Sequence, residues 1–194
     1  MRKLIVSINV TLNGFMAGPN GELDWHMPYW DEEMSRVSSE QLGNADTILL
    51  GRVTYTAMAR YWPAQQAGPY AARGDVDFAD MMNSYTKVVF SQTLTNVSNW
   101  SNSQLANRSI ALEVNQLKQQ PGKDIMVYGS GSLVTALIRK DLVDEYHIWL
   151  YPVLIEQGRP LFENLRDRLS LKPFQAKAFG NGVVLMQYGA VKTG

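Results

Sequence analysis

The chain has 194 residues, 45% hydrophobic and 19% charged, the composition of one ordinary globular domain. Its 18 basic and 18 acidic residues cancel and form no basic stripe, which argues against nucleic acid or an anionic membrane as partner. Cysteine is absent, so disulfides, thiolate metal sites and cysteine nucleophiles are excluded. The two histidines, His26 and His147, are too far apart in sequence to suggest a zinc site.

The N-terminus begins basic and then apolar, as a signal peptide does. The alternation of Val6, Ile8 and Val10, interrupted by Asn9, reads better as a first strand over 4–10. No apolar run approaches membrane-spanning length, so a cytoplasmic protein is the default expectation. Residues 11–24 form a glycine-bearing loop in which Asn20-Gly21 signals a turn and a small internal hairpin. A helix is predicted over 31–42, with Asp31, Glu32 and Glu33 complementing its dipole and Met34, Val37 and Leu42 facing inward.

Residues 47–50 read as the next strand, followed by a helix over 54–61 that stops at Trp62-Pro63. The stretch 64–77 is rich in Gly, Ala and Gln without a clear period, and reads as an irregular excursion available to cover a partner subunit. A short helix over 78–85 leads into a strand at 87–90, and 96–107 holds a short edge strand. Ser109 caps a helix in which Ile110, Val114 and Leu117 share a face, ended by Pro121-Gly122. Residues 125–128 form another buried strand. Gly129, Ser130, Gly131 and Ser132 then turn into a helix carrying Val134, Leu137 and Ile138, with Ser132 as the expected N-cap. A long apolar strand over 145–153 and a hairpin of 169–179 with 183–190 complete the chain. Strands alternating with helices before a closing hairpin give a three-layer α/β/α sandwich, mostly parallel with an antiparallel edge.

Three of these strands end alike. One runs into Gly51-Arg52-Val53-Thr54, one into Ser91-Gln92-Thr93, and one into the Gly129 turn. In a parallel sheet such ends share one edge, and ligands bind beyond it. Small residues opening a helix leave unpaired N–H groups at its positive end, which suits phosphate. Each signal alone has a plain reading. A glycine turn is more often a tight connection, and a lone arginine is as readily a surface ion pair. Val134 also stands where the dinucleotide fingerprint requires glycine. The coincidence of three ends favours a phosphate-rich cofactor.

These marks, in this order, resemble the dihydrofolate reductase fold. More closely, the chain is similar to the family named for the C-terminal reductase domain of the bifunctional riboflavin-synthesis deaminase/reductase. Leu12-Asn13-Gly14-Phe15-Met16-Ala17-Gly18, Asp24-Trp25, Leu142-Val143-Asp144-Glu145 and Gly158-Arg159-Pro160-Leu161-Phe162 belong to the same resemblance, which covers nearly the whole chain. It implies a single reductase domain over 1–194 using NADPH, with Gly51, Arg52 and Thr54 at the cofactor phosphates. Ser91 and Gln92 would lie near the 2′-phosphate, and Gly129, Ser130, Gly131, Ser132 and Leu133 under the pyrophosphate. The loop from Asn13 to Ala17 would border the nicotinamide. Gln92 replaces a cation common in relatives, so preference for NADPH rests mainly on Arg52. Glu156-Gln157 stand where relatives carry paired glycines before Arg159-Pro160-Leu161-Phe162. The cysteines of the zinc deaminase partner are missing, so at most the reductase half is present.

Hydride chemistry belongs to the cofactor, and the protein must orient the substrate and supply a proton. The resemblance places a carboxylate on the first helix, which makes Asp31 the first candidate and Asp24 the second. Trp25, Trp30, Trp149, Tyr151 and Arg159 are the substrate-binding candidates, and no metal is expected. An aromatic wall for a flat heterocycle is as natural a reading of the tryptophans as a packing cluster. The implied reaction is reduction of a pteridine- or pyrimidine-like heterocycle or its ribosylamino derivative. The alternatives are dihydrofolate reduction and a nucleotide-binding module without turnover. Stand-alone members of the family are expected to be homodimers.

Overall fold

A computed structural model describes residues 1–65, 73–163, 165 and 168–191, with backbone alone for 73–77. Ten strands and five α-helices alternate along it. They are β1 (Leu4–Thr11), β2 (Phe15–Ala17), α1 (Glu32–Gly43), β3 (Ala45–Gly51), α2 (Arg52–Tyr61), α3 (Arg73–Ser84), β4 (Thr86–Phe90) and β5 (Ser103–Leu105). There follow α4 (Ile110–Gln119), β6 (Asp124–Val127), α5 (Gly131–Ile138), β7 (Glu145–Tyr151), β8 (Arg159–Pro160), β9 (Leu171–Ala178) and β10 (Val184–Ala190). Eight strands form one sheet in the order β5-β4-β3-β6-β1-β7-β10-β9, and β2 pairs with β8 separately. The first six in that order run parallel, and β10 and β9 add the antiparallel edge.

Hydrophobic patterning explains the layers. Leu4, Val6, Ile8 and Val10 of β1 point to one face, where they pack with Leu133, Val134 and Leu137 of α5 and Val114 and Leu117 of α4. On the other face Ile48 and Leu50 meet Leu42, Tyr55 and Met82, while Trp149 and Tyr151 of β7 pack with Met34 and Val37 of α1. Trp149 and Tyr151 therefore share a face, as their spacing predicts.

The structure changes several expectations. The N-cap of α5 is Ser130, and Ser132 lies inside the first turn with its Oγ 2.9 Å from the Ser130 Oγ. The helix starts two residues earlier than the Ser132 expectation, directly after Gly129, which takes the left-handed φ of +118°. Asn20-Gly21 closes a turn in which the Gly18 N–H donates to the Glu22 carbonyl, but no hairpin forms there. β2 takes its partner from β8, more than 140 residues later. Of the excursion at 64–77, residues 66–72 lie outside the described residues, and the helix of 78–85 begins earlier, at Arg73. The long apolar strand β7 is paired on both edges, by β1 and β10, so it offers no free edge to a partner.

Lys87 of β4 is fully buried. Its ammonium donates to the carbonyls of Met82 and Asn83, each at 2.9 Å, and lies 4.7 Å from the centroid of the Trp100 ring. It thus caps the C-terminal end of α3, where a cation is favoured. Burial nevertheless pushes its pKa down to about 8. The unfolded chain, with an ordinary lysine value of about 10.4, then binds this proton more tightly than the folded one. Stability should rise between about pH 8 and about pH 10, by about 2–3 kcal/mol. From the upper end of that window the buried phenols of Tyr146 and Tyr151, whose pKa values are raised by burial, oppose the rise and then reverse the slope. Urea unfolding across the window should show the rise in the parent protein and no rise in Lys87→Met, whose stability falls toward about pH 10 as the phenols of the unfolded chain begin to ionise.

Candidate functional site

The C-terminal ends of the parallel strands meet at one edge, and two of them touch. The Gly51 N–H at the end of β3 donates to the Gly129 carbonyl beyond β6 at 2.8 Å. A Cβ on Gly51 would lie 2.9 Å from the Ser130 nitrogen and 2.3 Å from its Oγ. A Cβ on Gly129 would lie 3.0 Å from the Thr54 Oγ1. The peptide between Gly129 and Ser130 is cis. Two helices start at this contact, α2 from its N-cap Gly51 and α5 from its N-cap Ser130, and neither cap residue's side chain accepts from a first-turn N–H group. The first-turn N–H groups of both helices therefore lack intrahelical acceptors and point to the same edge. Leu133 contributes only its backbone there, because its side chain is buried in the core.

The other residues singled out for a phosphate cofactor gather around this contact. Arg52 is exposed at the start of α2 and makes no ion pair with a described residue. Ser91 follows Phe90, which is in register with Gly51, and its Oγ accepts from the Thr93 and Leu94 N–H groups at 3.1 and 2.9 Å. Its hydroxyl hydrogen is left for another acceptor. Gln92 beside it is exposed. On the near side, a Cβ on Gly131 would meet the Met16 Sδ at 2.7 Å and approach the Pro160 carbonyl at 4.0 Å, so β2 and β8 border the turn. Asn13 is part of that border. Its Oδ1 accepts from Thr11 Oγ1 at 2.8 Å and its Nδ2 donates to the Ile155 carbonyl at 2.7 Å. Ala17 is buried and pairs with Arg159. Arg159 is exposed near the 18–22 turn, and its charge acts on the Glu22 carboxylate.

The substrate candidates divide into two groups. Trp25, His26 and Tyr29, on a 3₁₀ segment at Asp24–Tyr29, present ring edges to Tyr151 with centroids 5.4, 6.0 and 5.9 Å away. Trp149 belongs to the core: it stacks on Phe179 at 5.5 Å and its Nε1 donates to Ser7 Oγ at 3.3 Å. It is 3% exposed, so it forms packing beneath the site, with the exposed Trp30 ring 6.4 Å away. Burial lowers the His26 pKa, so its ring is neutral near neutral pH.

The two carboxylates also differ. Asp24 is exposed. Asp31 is half-buried and is the N-cap of α1, with Oδ1 accepting from the Met34 N–H at 2.8 Å and Oδ2 from Asn181 Nδ2 at 2.7 Å. Asn181 also donates to the Tyr29 carbonyl, so one hairpin residue holds both the aromatic segment and α1. Sequence reasoning missed Asn181, because Gly180-Asn181-Gly182 carries only the signal of a hairpin turn. Two open clefts of about 620 and 480 Å³, lined by residues such as Arg2 and Glu113 or Lys3 and His147, lie at the opposite sheet edge and include none of these groups. The described residues contain no group of three or more His, Asp or Glu side chains placed to hold a metal.

The contact between the strand ends distinguishes two glycines. At Gly51 the obstacle is the Ser130 backbone, whereas at Gly131 it is the flexible end of Met16. Gly51→Ala should cost about 1–3 kcal/mol of overpacking, and Gly131→Ala clearly less. Denaturant unfolding of the two variants would check the order, and equal losses would contradict it.

The model of the family described as the RibD C-terminal domain matches residues 2–185. The uncharacterized protein YyaP of Bacillus subtilis (strain 168) is 36% identical over 187 residues, covering 96% of this chain and 94% of its own. Among solved structures, a protein of Shewanella sp. PV-4 provisionally assigned to riboflavin biosynthesis has a TM-score of 0.77 at 21% identity, covering 98% of this chain and 99% of its own. The Thermotoga maritima diaminohydroxyphosphoribosylaminopyrimidine deaminase/5-amino-6-(5-phosphoribosylamino)uracil reductase has a TM-score of 0.68 at 12% identity. It covers 98% of this chain, which spans only 57% of that longer protein. At such identities the structures share the fold, a large mostly parallel sheet closed by an antiparallel hairpin. The family match over almost the entire length carries the stronger conclusion: this chain belongs to the RibD C-terminal domain family.

Proposed function

We propose that the protein is an NADPH-dependent reductase of a pyrimidine- or pteridine-like heterocycle or its ribosylamino derivative. The observation that carries this reading is the contact of Gly51 with Gly129, which sets two helix starts without side-chain caps beside an arginine that makes no ion pair with a described residue. Backbone N–H groups of Arg52–Thr54 and Gly131–Leu133 suit a pyrophosphate. Arg52 and the Ser91 hydroxyl suit the additional phosphate of NADPH. The reductase named in the Thermotoga protein agrees with the same chemistry. Bound NADPH would supply a hydride.

In this reading the chain's own residues do the remaining work. The border formed by Asn13, Met16 and Ala17 would keep water from the nicotinamide, and the aromatic segment with Tyr151 would hold a flat ring. Asp31 is the proposed proton source. Its two hydrogen bonds fix the carboxyl in place, and its charge is near enough to act on the Tyr151 phenol. The homodimer expected of stand-alone members is part of the same proposal, and light scattering giving the mass of one chain would remove it.

The test is NADPH oxidation against a panel of pterins, folates and ribosylaminopyrimidines. Arg52→Ala should weaken NADPH by about 1.5–3 kcal/mol, as for a charged contact, and NADH much less. Titration calorimetry giving equal losses would show that Arg52 does not read the 2′-phosphate. Asn is as good an N-cap as Asp, but its amide nitrogen would face the Asn181 Nδ2 donor, so Asp31→Asn should keep the fold with a modestly lower melting temperature. It should reduce turnover by roughly 10²–10⁴-fold with NADPH affinity intact. Unchanged turnover there, with loss in Asp24→Asn, would move the role to Asp24. Binding of NADPH without oxidation by any compound would favour a nucleotide-binding module.

A further inference from the structure

Buried aromatic donors in this chain generally find acceptors. Trp149 Nε1 donates to Ser7, Trp100 Nε1 to Asn83 Oδ1 at 2.8 Å, and the Tyr55 hydroxyl to the Val97 carbonyl at 2.7 Å. Trp25 Nε1 and the Tyr151 hydroxyl are both buried and have no hydrogen-bond partner among the described residues. Buried donors are paired in most proteins, and an unpaired one calls for an explanation. These two sit on rings in edge-to-face contact, 5.4 Å between centroids at 84°. Tyr151 is the last residue of β7, in register with Thr11 at the end of β1, so the pair lies at the strand edge where the proposed cofactor turns gather. The nearby Asp31 carboxylate bonds to Met34 and Asn181 and to neither of these donors.

We propose that Trp25 Nε1 and the Tyr151 hydroxyl are the specificity-determining donors of the substrate pocket, receiving two hydrogen-bond acceptors on one edge of a flat heterocycle. This rests on the reductase reading above and deepens it. A ring with carbonyl oxygens on that edge satisfies both donors, whereas a ring with amino groups there leaves four donors facing one another. The phenol keeps its proton throughout: burial first, and the charge of Asp31 second, push its pKa up. Tyr151 therefore polarises and orients the ring, and the proton that completes reduction comes from another group. Access is through the segment that covers it. The rings closing on Tyr151 all belong to the 3₁₀ segment Asp24–Tyr29, none of whose residues is fully buried. Trp25 and Tyr29 pack on the core cluster that holds Tyr151, so a small outward shift of the segment, with Trp25 kept beside Tyr151, admits the edge of a ring between the two donors.

The experiment is calorimetric titration of the NADPH-loaded protein with 5,6-diaminouracil and with 2,4,5,6-tetraaminopyrimidine, which replaces the two carbonyl acceptors by amino donors. The parent protein should prefer the uracil by about tenfold or more, the scale of a hydrogen-bonded polar discrimination. Tyr151→Phe and Trp25→Phe should each remove most of that preference while leaving NADPH affinity unchanged. Tyr151→Phe is nearly isosteric and serves as the decisive variant if Trp25→Phe folds poorly. An undiminished preference in Tyr151→Phe, or no binding of either compound to the NADPH-loaded protein, overturns the inference and leaves the reductase reading standing. Failure to bind NADPH at all removes that reading, and this inference with it.

Discussion

The hydrogen bond from Gly51 to the Gly129 carbonyl is where the two halves of the parallel sheet meet at their C-terminal edge. β3 and β6 are neighbours in the sheet, so the chains leaving them must pass one another within van der Waals distance. Only a residue without Cβ fits at 51, since the Ser130 nitrogen occupies the space a side chain would take. Only a residue at ease with positive φ fits at 129. Meeting both conditions brings the starts of α2 and α5 together, and with them the N–H groups, the Thr54 hydroxyl and the Arg52 guanidinium. Any anion site at this edge depends on that approach, and so does the position of Met16, which packs over Gly131 from the opposite side.

A second constraint sets the other side of the site. Asn181, at the tip of the β9–β10 hairpin, binds the Tyr29 carbonyl and the Asp31 carboxylate. The closing hairpin therefore does more than cover the sheet edge. It fixes where α1 begins, and hence where the aromatic segment lies over Tyr151. Beneath it, Trp149, Phe179, Val183 and Leu185 form a small core that ties the hairpin to α1 through Met34 and Val37. The neutral His26 ring and the protonated Tyr151 phenol make this region weakly charged apart from Asp31, which suits a flat, mostly uncharged ring more than a second phosphate.

Polar pairing at the opposite edge of the sheet serves stability. Arg2 is buried and bonds to Asp46 and Thr47, and Lys118 is buried and bonds to Asp144 and the Leu142 carbonyl. These groups pin strand starts and helix ends together. The open polar clefts there reflect solvated strand starts, whereas the strand ends are closed over by Met16 and the aromatic segment.

Much of this was legible in the sequence because it is written in local chemistry. Alternating apolar residues marked β1, short apolar runs marked β3, β4 and β6, and Gly180-Asn181-Gly182 marked the final hairpin. Small residues after three runs marked the strand ends, since a backbone that must approach another backbone excludes side chains whatever the fold. The sequence by itself determined the alternation of strands and helices, the shared edge of the three turns and the family. Tertiary structure alone decided which hydroxyl caps α5, that β2 pairs with β8, that Trp149 belongs to the core, and that Asn181 holds Asp31. Each of those depends on a contact between residues distant in the chain, or on the angle at which two elements cross. Local propensity carries no record of either, because a side chain's partner is set by where the whole sheet places it.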